Sequence, residues 1–469
     1  MILDYPSPVL INFEMSLEEG SKNKGSHLEK IRGVNNFLAK DKIIRPRDVV
    51  LIVDGYDVWF QLPPVVMIRR MTEHTHAANL RLKRTYGSQQ YSEKVVFAAD
   101  KLCWPNPIED PACQSIPSST LPVDTWGATT DREPGDFNNR PRFLNSGTVI
   151  GRAEDVLHVY RQALWKIDEQ DRGSLGDQSV MSEIFGEQEY QRKEASGLSS
   201  NQTPSSAPWI LRMLRHFGAK AKVRPNTGPA ILVPNSMTTI EGREYEYGIG
   251  LDYEMRMFQT MTHSHGDILH LNHNDTTGWN TLMLSSELIT QLDQLSSEFG
   301  DWPEPFAPRD HQPPLSSKDS QSSSPVNISD LPLALGWEAI GLATNIHVPQ
   351  IPSLLHFNGD KTYLASWWDR NWYFPHARAL LRRYVLSPPP VASEQFEKQH
   401  SSDLVGRGGK GGVWTDDGRW FSWGDLCGGW EEEIFADGLG RWGKEDGRDG
   451  KRYDDWGKVI SDTDLGLVP

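Results

Sequence analysis

Apolar and polar positions along the first 190 residues fall into two alternating textures. Val49–Asp54 (VVLIVD) is an unbroken apolar run that ends in an acid. This is the pattern of a buried parallel strand whose C-terminal end opens toward a site. Pro63 and Pro64 then introduce VVMIRRM, which predicts a helix with proline in its first turn. Val95–Ala99 (VVFAA) is a second buried strand, followed by Asp100, and Thr148–Gly151 is a third. From Ala153 to Asp168 the residues Val156, Tyr160, Leu164 and Ile167 recur at helical spacing. Asp177–Phe185 predicts a further short helix with Val180, Met181, Ile184 and Phe185 on one side. Strands alternating with helices predict an α/β sandwich with a mostly parallel sheet. In such folds ligands bind beyond the C-terminal ends of the strands.

Two stretches break this order. Glu194–Ser206 is rich in Ser, Gln and Asn, and Pro303–Ser329 in Pro and Ser, so flexible insertions are expected at about 191–206 and 303–330. Between them Met255–Thr260 and Ile268–Leu271 are candidate strands, and a helix is expected over Pro375–Tyr384. The expected organisation is one α/β domain over 1–385 and a Gly-, Trp- and Asp-rich C-terminal extension over 386–469. The extension's VWTDDGRWF, WGDLCGGW and GRWGKEDG are alike in texture but keep no fixed period, which argues against a repeat architecture.

Composition narrows the partners. The chain has 469 residues, 37% hydrophobic and 24% charged, enough for a buried core. The net charge is −15 and no Lys/Arg cluster suggests a phosphate-tracking groove, so no nucleic-acid partner is expected. An anionic substrate would need a local device such as a bound cation. Three cysteines, Cys103, Cys113 and Cys427, exclude a full disulfide framework, and the sequence leaves pairing of the first two open. No apolar run approaches the roughly 20 residues of a membrane span, and Met1–Phe13 does not read as a signal peptide, so a soluble chain without a membrane segment is expected.

The sharpest chemical feature is Asp54-Gly55-Tyr56-Asp57 at the end of the first apolar run. Two carboxylates three residues apart across a turn can face one divalent cation, and oxygen ligands suit Mg2+ or Mn2+. Such a cation would hold a diphosphate and stabilise it as a leaving group. Gly55 is read as the residue that lets the backbone turn tightly. The alternative use of the two aspartates is turn capping.

Four further segments stand with VVLIVDGYDVW: VVFAADKLCWP (95–105), RFLNSGTVIGRA (142–153), GDQ (176–178) and LLHFNGDK (354–361). In order and spacing the set resembles the glycosyltransferase domain of procollagen lysyl hydroxylases. More loosely it is similar to collagen-type glycosyltransferases and uncharacterised fungal relatives. The resemblance covers about residues 20–190 and returns at 251–259 and 354–361. It implies a GT-A fold, a Rossmann-like α/β/α sandwich, and a metal-dependent hexosyltransferase that moves sugar from a UDP-sugar donor to a hydroxyl acceptor on a protein or glycan. Carried over residue by residue, Asp54, Asp57 and His356 match the metal ligands. Tyr56 matches a tyrosine bordering the uracil. Asn358, Gly359 and Lys361 match a loop that closes on the diphosphate, although the family's proline is replaced here by Asp360. Lys30 matches a lysine at a Gly-rich helix start, a surface lysine being the alternative. Asn145, Ser146 and Gly147 match the strand-turn under the sugar, where Asn145 either bonds a sugar hydroxyl or caps the turn. Asp177 and Gln178 match the segment at the reacting end, with Asp177 as base or charge stabiliser and Gly176 in place of a second acid. Asp100 and Trp104 match a site wall facing the acceptor. The family implies the secretory lumen (ER or Golgi), while the chain itself shows no targeting segment, which leaves the cytoplasm open.

Two other readings compete. One is a GT-A-like domain without activity that binds a glycan or scaffolds a partner. The other is a metal-dependent phosphodiesterase, which ordinarily needs further ligands for a second metal. His263, His265, His270 and His273 form a second cluster, read as a solvated loop and edge strand.

Overall fold

The computed structural model describes residues 2–13, 25–40, 44–87, 90–133, 136–170, 176–196, 244–282, 286–306, 331–386, 412–440, 452–453 and 459–460. Its largest sheet has four strands: β2 (Val49–Val53), β4 (Val95–Asp100), β5 (Phe143–Arg152) and β6 (Ile249–Asp252). β1 (Val9–Leu10) and β3 (Val58–Phe60) lie outside this sheet, whose spatial order is β2-β5-β4-β6. β5 runs antiparallel to both β2 and β4, and β4 is parallel to β6. The sheet is therefore mixed, which corrects the expectation of a mostly parallel one. β2, β4 and β6 share a direction, but β5 is hydrogen-bonded between β2 and β4 with the opposite sense. The apolar run Val49–Val53 is likewise an edge strand of this sheet among the described residues, half-buried and not fully enclosed.

β4 shows why its sequence is continuously apolar. Its residues are all at most 5% exposed, and successive side chains of a strand point to opposite faces. Val95, Phe97 and Ala99 enter one core with Ile31 and Val34, with Val156, Val159 and Tyr160, and with Val180, Met181, Ile184 and Phe185. Those partners come from helices α1 (Gly25–Lys40), α4 (Ala153–Gln170) and α5 (Asp177–Ala195). Val96 and Ala98 enter the opposite core with Met67 and Met71 of α2 (Pro64–Tyr86) and with Phe258 and Leu354. Helices cover one face of the sheet, and α2 with a second, small sheet covers the other. Full burial of a side chain such as Phe97 contributes about 2 kcal/mol. α2 begins with Pro64 in its first turn and stops at Gly87, whose φ of 68° is the left-handed C-cap conformation.

The second sheet contains β3, β7 (Phe258–Thr260) and β10 (Leu354–His356), with β10 between an antiparallel β3 and a parallel β7. β8 (Ile268–Leu271) pairs with β9 (Leu342–Asn345). An aromatic core of Trp279, Trp302, Trp337 and Trp372 lies under these elements. Residues 191–195 of the first expected insertion belong to α5, and 197–206 lie outside the described residues. Of the second, 303–306 are ordered, with Phe306 1% exposed, and 307–330 lie outside.

The described part of the C-terminal extension is joined to both ends of the preceding chain. β11 (Gly412–Thr415) pairs with β12 (Trp420–Ser422) and, in parallel, with β1. Trp423 and Phe435 pack on Ala377 and Leu381, and Arg378 donates to Asp437 from two guanidinium nitrogens at 2.5 and 3.0 Å. The N-terminal segment then leans on α1: the Asn12 amide donates to Glu29 O at 2.7 Å, and Ile11 packs into the α1 core.

Within the histidine cluster His270 lies on an edge strand as expected, β8, and His263 and His265 are half-buried, but His273 is not solvated. His273 is 3% exposed, lies 3.2 Å from Thr344 Oγ1 and meets Trp279 and Phe299 edge-on. Its burial follows from the β8–β9 pairing, which carries the chain into the aromatic core. Cys103 and Cys113 form a disulfide, and Cys427 is the free cysteine. No helix among the described residues is long and apolar enough to cross a membrane.

Candidate metal centre

Asp54 follows β2 and Asp57 precedes β3, so the two carboxylates lie on one tight connection. Register then delivers the third ligand: His356 pairs with Val58 on one side and Thr260 on the other. Phe357 N donates to Asp57 O at 2.8 Å and Asp54 N to Gly147 O at 2.8 Å, which fixes the backbone on both flanks. His356 Nε2 lies 3.7 Å from Asp54 Oδ2 and 3.6 Å from Asp57 Oδ2. One ligand atom from each residue lies within 4.8 Å of the others, and these residues form the one such metal-competent group among the described residues. Two carboxylates and an imidazole suit a hard or borderline divalent cation. The atoms that face one another are Asp54 Oδ2, Asp57 Oδ2 and His356 Nε2, while Asp57 Oδ1 and His356 Nδ1 are buried on the far sides without a hydrogen-bond partner.

The cradle depends on Gly147. A Cβ there would stand 2.1 Å from His356 Cε1, 2.6 Å from His356 Nε2 and 2.8 Å from Asp54 Oδ2. Gly55 differs from its expected role. It has no left-handed φ, and a Cβ there meets nothing within 4 Å, so glycine is not required by that turn.

Two lysines reach the metal carboxylates. Lys361 Nζ donates to Asp57 Oδ2 and, at 2.7 Å, to Phe357 O. Lys30 Nζ lies 2.6 Å from Asp54 Oδ1, 3.1 Å from Asp177 Oδ2 and 3.1 Å from Ser146 O. It is thus a site residue and not a surface lysine. Burial alone would lower the Lys30 pKa, but the carboxylates of Asp177 and Asp54 outweigh it and hold the ammonium above its ordinary range. Burial likewise pushes Asp57 up. The His356 hydrogen bond and charge, with Lys361, reverse this and hold it down at about 2.

A β-bulge presents the next pair. Opposite β4 the register passes from Phe97↔Val149 to Ala98↔Asn145, leaving Ser146, Gly147 and Thr148 outside the ladder. Ser146 Oγ lies 3.1 Å from Asp177 Oδ2 and 3.2 Å from Gln178 Oε1. Gln178 is a clamp: its Oε1 also accepts from Ser146 N at 3.0 Å, and its Nε2 donates to Trp104 O at 3.1 Å and Leu144 O at 3.2 Å. Both ends of its amide are occupied by the strand and the Trp104 loop, and Ser146 links it to Asp177. Asp177, at the first position of α5, is linked to Asp54 through Lys30.

Four expected site residues make internal contacts. Asn145 caps the bulge, its Oδ1 accepting from Gly147 N at 3.0 Å. Asn358 accepts from Met261 N and Thr262 N at 3.0 and 3.1 Å and donates to Asp100 Oδ2 at 2.8 Å. Gly359 adopts φ 77° against Thr262, so it shapes the loop. Asp100 is 5% exposed and holds Asn358 and, at 3.4 Å, Asn145, so it is an internal brace and not a wall facing an acceptor. Burial pushes its carboxyl pKa up. Of the expected site residues the two aromatics, Tyr56 and Trp104, are exposed, at 97% and 63%, Tyr56 between the two aspartates and Trp104 with its carbonyl bonded to Gln178.

Sequence reasoning missed Thr262, whose backbone and hydroxyl seat the Asn358 loop. Nothing local marks it, because only the parallel β7–β10 pairing brings it there. No protein-family model matches the chain, and no curated protein matches it.

Proposed function

We propose that the protein is a metal-dependent glycosyltransferase of GT-A type that moves a hexose from a UDP-sugar to a hydroxyl of a protein or glycan acceptor. The observation that carries this reading is the convergence of Asp54, Asp57 and His356, with Asp177 tied to the same group through Lys30. Asp54, Asp57 and His356 would hold Mn2+ or Mg2+. Bound there, the cation supplies Lewis-acid charge that stabilises a departing diphosphate. Tyr56, exposed on the connection between the aspartates, offers a ring face to a planar base. Lys361 adds a point charge on the diphosphate side. Asp177 accepts the proton of the acceptor hydroxyl or stabilises positive charge at the anomeric carbon. Ser146 and Gln178 fix its orientation. Trp104 borders the acceptor. The Cys103–Cys113 disulfide supports an oxidising compartment such as the secretory lumen.

One observation favours a second reading, a GT-A-like domain without activity that binds a glycan. Gly176 stands where the resemblance implies a second acid beside Asp177. Incubation with a panel of UDP-hexoses and Mn2+ separates the two. UDP release by the wild type and its loss in Asp57→Ala is the expected result. No metal-dependent release from any donor would overturn the enzymatic reading.

A further inference from the structure

The two lysines do not bear on the metal ligands in the same way. Lys30 takes Asp54 Oδ1, the oxygen that faces away from His356, whose Nε2 faces Asp54 Oδ2. Lys361 takes Asp57 Oδ2, the oxygen that itself faces His356 Nε2 at 3.6 Å. A cation bound among Asp54 Oδ2, Asp57 Oδ2 and His356 Nε2 leaves the Lys30 contacts in place. It competes directly with Lys361.

The surroundings limit where Lys361 can go. Its backbone follows a loop fixed by Asn358 on Met261 N and Thr262 N and by Gly359 packed on Thr262. Its side chain is half exposed, so the ammonium can swing out but stays within a side chain's length of Asp57. A doubly charged ion held by Asp57 Oδ2 would repel an ammonium that kept its place there, strongly even where partly screened. An anion bridging the cation and the displaced ammonium removes that repulsion.

We propose that Lys361 couples the two ligands of this site: alone, a divalent cation must displace it from Asp57, whereas with a diphosphate group present both positive charges share the anion. The inference rests on the metal-dependent reading above and adds a direction to it. Cation and diphosphate each raise the affinity of the other, by reciprocity of linked binding, and loss of Lys361 strengthens binding of the cation alone.

The test is calorimetric titration of the full chain with Mn2+, with and without saturating UDP, for the wild type, Lys361→Met and Lys361→Arg. Thermal unfolding verifies that each variant is folded, and Lys361→Gln replaces Lys361→Met if the latter is not. In the wild type UDP should tighten Mn2+ binding roughly tenfold, within the usual range of coupling between sites. Lys361→Met should bind Mn2+ alone roughly tenfold more tightly than the wild type and lose most of the UDP effect, while Lys361→Arg retains it. Mn2+ binding that is unchanged or weakened in Lys361→Met would overturn the coupling role and leave the metal centre standing. Equal, negligible Mn2+ binding by the wild type and Asp57→Ala would instead overturn the metal centre, and the coupling with it.

Discussion

Gly147 and Gly55 flank the same metal group and offer a paired test of its geometry. Alanine at 147 brings a methyl to 2.1 Å from His356 Cε1 and 2.8 Å from Asp54 Oδ2. Ordinary carbon contacts lie at about 3.5–4 Å, so His356 or the bulge must retreat by more than 1 Å. Metal ligands tolerate deviations of only about 0.2 Å, and a shift of that size withdraws the imidazole from the group. Loss of Mn2+ affinity should be on the order of 100-fold, at or above the 10- to 100-fold seen when only a ligand's support is removed. Overpacking should also cost about 1–3 kcal/mol of stability. Alanine at 55 meets nothing within 4 Å, so Gly55→Ala should bind Mn2+ within about threefold of the wild type. Calorimetry with Mn2+ and urea denaturation of each variant are the assays. Mn2+ affinity in Gly147→Ala within threefold of the wild type would refute the claim that this glycine is the floor of the metal centre.

Asp177→Asn should lower UDP-sugar turnover by about 10²–10⁴-fold, the usual contribution of a positioned base, while leaving Mn2+ binding near the wild-type value; simultaneous loss of Mn2+ binding would show that the residue acts through Lys30 on the metal ligands. Arg378→Ala should cost about 1.5–3 kcal/mol in urea denaturation, since it removes a buried guanidinium that donates to Asp437 and to Gly440 O of the extension; a change below 0.5 kcal/mol, the usual range of a neutral surface substitution, would mean that residues 412–440 do not brace the preceding helix. Burial lowers the His273 pKa to about 4 against about 6.5 in an unfolded chain. Below pH 6.5 the unfolded state takes up a proton that the folded state refuses, so this contribution is complete above that pH and declines as pH falls toward 4. The loss reaches about 2 kcal/mol by pH 5, and urea midpoints at pH 7 and 5 should converge in His273→Leu relative to the wild type.

Local sequence determined the parts of this molecule whose physics is local. The unbroken apolar run at Val95–Ala99 required burial on both faces, and the spacing of Val156, Tyr160 and Ile167 required a helix with one buried stripe. A strand ending in Asp54, with Asp57 one turn on, placed two carboxylates together because three residues cannot separate them far. Everything that depended on pairing was decided by the tertiary structure. Strand direction was not legible, because an apolar run is equally suited to parallel and antiparallel neighbours, and β5 took the reversed place between β2 and β4. Most hydrogen-bond partners were not legible either: Asn145 caps Gly147 two residues on, but Asn358, Asp100 and Gln178, which have the chemistry of ligand contacts, bond to groups far along the chain. Lys30 gave the opposite case, since a lysine on a polar helix reads as solvent-facing until α1 is seated against α4 and α5 and its ammonium reaches Asp54 and Asp177. The residue types of the candidate metal centre were legible in the sequence. Their convergence, and the lysine set against each carboxylate, exist only because β10 pairs in register with β3 and carries His356 and Lys361 across roughly 300 residues of chain to Asp57.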